Sequence, residues 1–155
     1  MKKKTILLTL AAMFAVVAVC FAADNPNMGT WKLNEAKSKF PAGATKNNMV
    51  VYAAAGDSVK VTVDGVTADG KAVHDEWTGK FDGKDYPVTG EPTYDSRSYK
   101  QVDARTLSMT LKKDGKVVGT GRIAVSADGK TRTVTVTLTD AMGKKMSSTA
   151  VYDKQ

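Results

Sequence analysis

The feature that most constrains the fold is a short turn sequence, Asp-Gly-Lys, which recurs between runs of alternating apolar and polar residues. It begins at Asp69, Asp82, Asp114 and Asp128. An Asp-Gly pair between such runs is a strong hairpin signal, because glycine adopts the positive φ that the tight turn requires. In TVTVTLT, residues 133–139, the alternation puts all apolar side chains on one side of a strand. Four such turns predict a string of antiparallel hairpins.

The pattern predicts an all-β protein, an antiparallel up-and-down meander of about 8–10 strands. Closing the meander into a barrel covers its apolar face and removes exposed edges. A two-sheet sandwich is the alternative, but the short turns favour the barrel, because sandwiches usually need long crossings. One helical turn is compatible with NEAKSKF, residues 34–40. The strands are predicted near residues 29–34, 48–55, 58–66, 71–81, 84–89, 95–102, 106–113, 116–125, 131–139 and 145–153.

The first 22 residues have the three parts of a secretory signal: a basic start, an apolar run, and small residues at its end. We therefore expect residues 1–22 to be a helical signal peptide and residues 23–155 to be a single exported domain, periplasmic or extracellular. A membrane anchor and a lipid-modified Cys20 are the alternatives. The apolar run is shorter than the roughly 20 residues that span a bilayer, and bulky Val19 precedes Cys20. Stable membrane insertion after cleavage is not predicted.

Cleavage removes three lysines and the only cysteine, so the formal net charge falls from +7 to +4. A domain without disulfides must be held by its own core, and a chain of this length buries enough surface for that. The positive charge is spread over many turns, so a nucleic-acid partner is not predicted.

The apolar pattern also predicts how neighbouring strands are paired, because a slip of one residue turns every side chain to the other face. A three-residue bulged loop at 113–115 sets Leu111 against Val117 and Met109 against Gly119. A two-residue turn would mix apolar with polar residues on one face. The predicted inward residues are Leu107, Met109, Leu111, Val117, Ile123 and Val125. The other turns predict the pairs Ile123–Val134, Gly121–Val136, Gly119–Leu138, Leu138–Met146, Val136–Ser148, Val134–Ala150, Arg132–Tyr152, Val61–Trp77 and Val63–Asp75.

Both ends of the domain resemble a known group of barrels. GTWKLNEAKSKF, residues 29–40, resembles the opening of the intracellular fatty-acid-binding proteins, and its Gly29-Thr30-Trp31 resembles the Gly-x-Trp of lipocalins. STAVYDKQ, residues 148–155, resembles the closing strand of the fatty-acid-binding group. The whole domain is similar to small secreted lipocalin-like proteins of bacteria. The resemblance implies a calycin barrel, lipocalin-like, that carries a small apolar molecule.

The chain departs from the fatty-acid-binding pattern in two places. The residues between Asn34 and Asn48 are too few for the two helices of that group. Ala150 stands where the closing strand of that group has a carboxylate-binding arginine, and only Tyr152 matches. Lipocalins commonly place an arginine against the tryptophan, and the predicted register offers Arg132, beside Tyr152, for a cation–π contact with Trp31.

An inward charge is predicted on the fourth strand, where Asp75 needs either a proton or a basic partner. Arg97 and Tyr99 are candidates, but their strand is ambiguous. A two-residue turn pairs Val102 with Leu107 and leaves Arg97 outside, and we favour it on its apolar match. A three-residue turn points Arg97 and Tyr99 inward, where they would pair with Asp75 or bind the acidic head of a ligand.

One quadrant of the predicted inner face carries only small residues, which leave that part of the barrel interior unfilled; we call it the thin quadrant. Its residues are Gly119, Gly121, Ser148 and Ala150. Either a ligand fills the space or large side chains opposite do, namely Trp77, Leu107, Met109 and Phe81. The glycines are also compatible with bends at a barrel corner.

We predict a binding protein for a small apolar or amphipathic molecule held in the barrel, with no cofactor and no metal; whether it has a protein partner is left open. The alternative is a packed barrel that acts through its surface as an envelope interaction or inhibitor module. An enzyme is the third candidate, but no serine lies in Gly-x-Ser-x-Gly, and His74 is predicted to face outward. The predicted ligand-binding residues are Trp77, Arg97, Tyr99, Met109, Leu111, Ile123, Val134, Val136 and Tyr152, and the predicted structural residues are Gly29, Trp31 and Arg132.

Overall fold

The computed structural model describes residues 25–155, and the predicted signal peptide, residues 1–22, lies outside the described residues. No helix in the described part of the chain is long and apolar enough to cross a membrane. A 3₁₀ turn, Glu35–Lys37, follows the first strand. About 8–10 strands were predicted, and residues 25–155 contain ten: β1 Gly29–Leu33, β2 Lys46–Ala55, β3 Ser58–Val66, β4 Ala72–Gly79, β5 Tyr86–Thr89, β6 Ser96–Asp103, β7 Thr106–Lys113, β8 Lys116–Val125, β9 Thr131–Thr139 and β10 Lys145–Lys154.

The strands form a closed antiparallel barrel in which each strand pairs with its neighbours in sequence. The circle closes where β1 pairs with β10, with Trp31 opposite Lys154 and Leu33 opposite Tyr152. The predicted all-β meander closed into a barrel is therefore confirmed. The sandwich alternative is wrong, because one continuous sheet runs through all ten strands.

The four Asp-Gly-Lys turns lie in connections between consecutive strands, as predicted. Their glycines, Gly70, Gly83, Gly115 and Gly129, have φ between +71° and +81°. A side chain at these positions would be strained, because L-residues rarely adopt positive φ. The turn chemistry in the sequence thus fixes where the chain reverses.

Most predicted pairings are confirmed. The β8–β9 pairing sets Ile123 against Val134 and Gly121 against Val136, and the β3–β4 pairing sets Val61 against Trp77. All four pairs predicted between β9 and β10 are present, including Arg132 opposite Tyr152. In these hairpins the apolar pattern was sufficient to define the register.

The predicted register between β7 and β8 is wrong by two residues. Leu111 lies opposite Gly119 and Met109 opposite Gly121, with a shift between Leu111 and Lys112. The turn itself is the two-residue one, and the bulge beyond it returns the apolar residues to the inner face. Val117 falls outside this pattern and is 55% exposed, so its predicted inward position is also wrong.

The turn favoured between β6 and β7 predicted the wrong pairing of these two strands. Gln101, not Val102, lies opposite Leu107, because a bulge intervenes between Gln101 and Asp103. Val102 is 52% exposed, whereas Arg97 and Tyr99 are 3% and 2% exposed. Arg97 and Tyr99 therefore point inward, as in the alternative register.

Strand β5 is the shortest in the barrel, with four residues. Two residue pairs join it to β4 and two join it to β6. Its neighbours β4 and β6 each have eight residues, so the ladder of hydrogen bonds is thinnest here. We call this region the β5 seam.

One end of the barrel is packed by aromatic and aliphatic side chains. The Trp77 indole lies edge-on to Tyr99 with ring centroids 4.8 Å apart, and stacks on Phe81 at 6.4 Å. Its Nε1 donates a hydrogen bond of 2.8 Å to the Arg97 carbonyl oxygen. The most deeply buried side chains of the barrel include Trp31, Val61, Trp77, Tyr99, Leu107, Ile123 and Arg132.

Candidate ligand cavity

A cavity of about 420 Å³ occupies the other part of the barrel. Its lining changes from exposed to buried along its length. Ala42, Gly43 and Thr93 line it and are exposed, whereas Tyr99 and Arg132 line it and are almost fully buried. The cavity is thus open at one end of the barrel and ends against the aromatic packing. Its volume lies in the range typical of sites for small molecules.

The walls of the cavity are mainly apolar. Eight of the nine predicted ligand-binding residues line it. Trp77 is the exception: it lies within the packed end, with Phe81 and Tyr99 against its ring. The Trp77 ring therefore packs in the core and does not form part of the cavity wall. The eight are Arg97, Tyr99, Met109, Leu111, Ile123, Val134, Val136 and Tyr152.

The thin quadrant is covered by neighbouring side chains. A Cβ on Gly121 would lie 2.8 Å from the Met109 methyl carbon, and a Cβ on Gly119 would lie 2.7 Å from a Leu138 methyl carbon. The glycines therefore make room for Met109 and Leu138, whose side chains then form part of the wall. The space above Ser148 remains part of the cavity.

Arg97 lies in the cavity wall with an acidic partner. Its Nη2 donates hydrogen bonds to Asp75 Oδ1 at 3.0 Å and to the Tyr94 hydroxyl at 2.5 Å. Its Nη1 donates to the Tyr99 hydroxyl at 3.3 Å. Asp75 is 6% exposed, in the inward position predicted for it. The guanidinium is therefore neutralised by a carboxylate from β4.

Burial dominates the titration of the groups around this pair. It raises the pKa of Asp75, and the Arg97 charge opposes that shift. Burial likewise raises the pKa of Tyr94 to about 12, again against Arg97. The Tyr94 hydroxyl therefore stays neutral at physiological pH and provides a hydrogen-bond acceptor without a charge.

Arg132 lies at the buried end of the cavity inside a cage of three aromatic rings. Its guanidinium carbon is 5.1 Å from the Trp31 ring, 4.9 Å from Tyr52 and 4.8 Å from Tyr152. The predicted stacking on Trp31 is confirmed. Each such contact contributes about 0.5–2 kcal/mol. Gly29, the first residue of the same motif, has φ +110° and starts the strand that carries Trp31.

The ionic surroundings of Arg132 differ from those of Arg97. Among residues 25–155, no carboxylate forms an ion pair with Arg132, and its Nε and Nη1 have no hydrogen-bond partner. Tyr52 and Tyr99 stand between the two arginines, with ring centroids 6.3 Å apart. The buried end of the cavity thus holds a neutralised cation and an unneutralised one.

Several lining residues were not predicted from the sequence. Tyr52 and Tyr94 lie on the cavity surface, and residues 41–45 form part of its open end. The alternation in β2 could have indicated that Tyr52 points inward, since Val50 and Tyr52 share a face. Tyr94 and residues 41–45 lie in irregular segments, where no periodic signal exists.

His74 lies on the outer face with Asp64 and Glu76, away from the cavity. Its Nδ1 is 2.6 Å from Asp64 Oδ1, and its side chain is 55% exposed. The predicted outward orientation is confirmed. Within the described residues, no group of three or more His, Cys, Asp or Glu is placed to hold a metal ion.

The chain matches no protein-family model and no curated protein. Three solved structures of small barrels are similar to it. EF1p2_mFAP2b bound to DFHBI is 12% identical, with a TM-score of 0.47, over 84% of this chain and 94% of that chain. The redesigned β-barrel mFAP1 bound to DFHBI is 14% identical, with a TM-score of 0.44, over 85% and 98%. A fluorescence-activating β-barrel designed de novo is 13% identical, with a TM-score of 0.41, over 86% and 97%. Likenesses this distant carry no conclusion about function.

Proposed function

We propose that the protein is an exported carrier that holds a small apolar or amphipathic molecule inside its barrel. The observation that supports this is the cavity of about 420 Å³, open at one end and walled by apolar side chains. A barrel interior packed solid would have favoured a surface-acting module instead. The nonpolar walls would bind a ligand by removing its apolar surface from water.

Export and family belong to the same proposal. The basic start, apolar run and small residues of positions 1–22 favour cleavage after Ala22 and a periplasmic or extracellular location. The Gly29-Thr30-Trp31 motif on the first strand, with Arg132 against the tryptophan, favours a lipocalin-like calycin. The roles of the eight cavity-lining residues as ligand contacts are likewise proposed.

The test is binding of 1-aminoanthracene, a small apolar dye that is neutral at physiological pH, to the purified protein, followed by fluorescence. The wild type is expected to bind the dye with saturation at one molecule per chain. Val136→Trp places a large ring in the cavity and is expected to abolish the binding. Native mass spectrometry of protein purified without detergent would reveal a ligand retained from the cell.

A matched control is available on the same strand. Thr135 is exposed and points away from the cavity, so Thr135→Trp adds the same ring to the outer face and is expected to leave dye binding unchanged. Equal dye binding by both variants, or none by the wild type, would contradict the carrier proposal.

A further inference from the structure

Exposed apolar side chains are concentrated at the open end of the barrel. Among residues 25–155, four large apolar side chains are exposed, and three of them lie at this end. Met142, which is 90% exposed, is in the turn between β9 and β10, Met146 follows that turn, and Val117 lies near the start of β8. The fourth, Val102, lies near the turn between β6 and β7, at the other end. Exposed apolar side chains that are grouped together mark interaction surfaces.

The turn that carries Met142 stands beside the entrance of the cavity. Leu138 and Met146 lie opposite each other at the base of this turn, and both line the cavity. Residues 41–45, at the entrance, connect β1 to β2, and β1 ends where β10 begins because these two strands are antiparallel. A partner bound to the turn would therefore lie against the entrance as well.

Three lysines surround these apolar side chains. Lys144 and Lys145 follow Met142 in the chain, and Lys116 begins β8 beside the end of β9. All three are exposed, and none forms an ion pair with a carboxylate of residues 25–155. Asp140 begins the same turn, and its Oδ1 accepts hydrogen bonds from the backbone N–H groups of Met142 and Lys144, both at 2.9 Å. Three positive charges and one negative charge give this group a net charge of +2.

The charges next to this group nearly cancel. Lys113 and Asp114, in and beside the turn between β7 and β8, have opposite charges. Asp95 accepts a hydrogen bond of 2.8 Å from the Asp114 backbone N–H, and on the other side of the group Lys39 is bridged to β10. Glu91 lines the entrance from the connection between β5 and β6, four strands from β9. The excess of positive charge therefore lies on the side of β8, β9 and β10.

We propose that this part of the open end docks the barrel onto an anionic lipid bilayer. We call it the basic rim, and it consists of Lys116, Val117 and residues 140–146. The lysines attract the negative headgroups, and the side chains of Met142, Met146 and Val117 leave water for the interface of the bilayer. The contact is peripheral, since only side chains of the rim enter the interface.

The inference rests on the proposed carrier function and names its partner. With the basic rim on the bilayer, the entrance of the cavity lies at the membrane, so an apolar ligand passes between the cavity and the acyl chains without crossing bulk water. A second copy of the chain is a poorer occupant, because two basic rims would bring like charges together. An anionic surface replaces that repulsion with attraction.

The test is cosedimentation of the purified protein with lipid vesicles at low ionic strength. One set of vesicles contains phosphatidylcholine alone, and the other contains equal parts of phosphatidylcholine and phosphatidylglycerol. The wild type is expected to bind the anionic vesicles about 10-fold more tightly than the neutral ones, or better. Added salt is expected to weaken this binding, because it screens the attraction between charges that are in contact with water.

A pair of charge variants locates the surface. The double variant Lys144→Gln with Lys145→Gln is expected to lower the affinity for anionic vesicles on the order of 30-fold. Its control, Lys84→Gln with Lys130→Gln, removes the same charge from exposed residues at the other end of the barrel. The control is expected to bind like the wild type.

A pair of apolar variants tests the entry of side chains into the interface. Met142→Ser is expected to weaken binding to anionic vesicles about 10-fold, because the variant loses apolar surface that would leave water. Its control is Val102→Ser, which removes an exposed apolar side chain at the other end and is expected to have no effect. All the substituted positions are exposed, so each variant is expected to fold and to bind 1-aminoanthracene like the wild type.

The outcomes separate docking from ligand binding. Equal affinity of the wild type for neutral and anionic vesicles would overturn the docking inference, and so would equal losses in the basic-rim variants and their controls. Dimers of the wild type that disappear in Met142→Ser would identify a second copy as the occupant and would also overturn it. Each of these results leaves the carrier function intact if the wild type binds 1-aminoanthracene without vesicles. A wild type that binds anionic vesicles but no dye would contradict the carrier function alone.

Discussion

The buried pair of Arg97 and Asp75 supports a quantitative prediction about stability. Asp75→Leu leaves the Arg97 charge buried with only the hydroxyls of Tyr94 and Tyr99 as partners. Removing one partner of a buried ion pair typically costs about 3–5 kcal/mol. Domains of this size have free energies of unfolding of about 5–15 kcal/mol. We therefore expect the variant to fold but to lose a large part of its stability.

The opposite variant, Arg97→Met, is expected to cost less at low pH than at high pH. Without Arg97, Asp75 loses the positive charge that favours its ionised form, so burial raises its folded-state pKa further above the unfolded value. Between those two pKa values the folded state binds a proton that the unfolded state does not. The free energy of unfolding therefore falls as the pH rises, by up to about 1.4 kcal/mol per unit.

Urea unfolding, followed by tryptophan fluorescence at several pH values, measures both effects. The double variant Asp75→Leu with Arg97→Met is expected to recover most of the loss, because it buries no charge. Glu76→Gln, on the outer face of the same strand, serves as the control and is expected to have little effect, because its pair with Lys60 is exposed. The reasoning would be refuted if the losses in free energy of unfolding of the two single variants added up in the double variant and did not depend on pH.

Three further predictions concern single positions. Gly90 has φ +88°, and a Cβ there would overlap the His74 carbonyl oxygen, so Gly90→Ala should lower the free energy of unfolding by about 2–3 kcal/mol in urea titrations; wild-type stability would contradict this. The pKa of His74, measured by NMR, should lie above its ordinary value, because Asp64 accepts a hydrogen bond from the imidazolium. It should fall in Asp64→Asn. The contact between the imidazolium and Asp64 stabilises the fold at low pH and is lost as the pH rises through the folded-state pKa of His74. Trp31→Phe keeps a ring beside Arg132 but removes the 2.8 Å hydrogen bond to the Asn27 carbonyl oxygen, so thermal unfolding should show a loss of about 1–2 kcal/mol. An unchanged unfolding temperature would contradict this.

The barrel was predictable because its hairpins contain strong local signals. In β8, β9 and β10 the turn glycines and the alternation agree, and every predicted pair between these strands is present. Between β6 and β7, and between β7 and β8, bulges intervene. A bulge adds one residue to one strand and leaves no distinct pattern in the sequence. A turn length inferred from apolar matching alone therefore gave the wrong partner for Leu107.

The inward position of Arg97 was hard to predict for a different reason. Its burial depends on Asp75, which is 22 residues away in sequence and two strands away in the barrel. Local periodicity carries no information about such a partner. The cavity could not be predicted from the sequence either, because its volume depends on how the side chains of Met109 and Leu138 pack over the glycines of β8.

The β5 seam has a consequence for how the barrel comes apart. A closed sheet has no edge strand, so every strand stays hydrogen-bonded to both neighbours until the barrel opens. The barrel should open at β5, because the fewest hydrogen bonds between strands must break there at the same time. Opening there would turn the ring into an open sheet with β4 and β6 as free edges, and would separate Asp75 from Arg97. Local unfolding at one short strand and loss of charge balance in the cavity are then a single event.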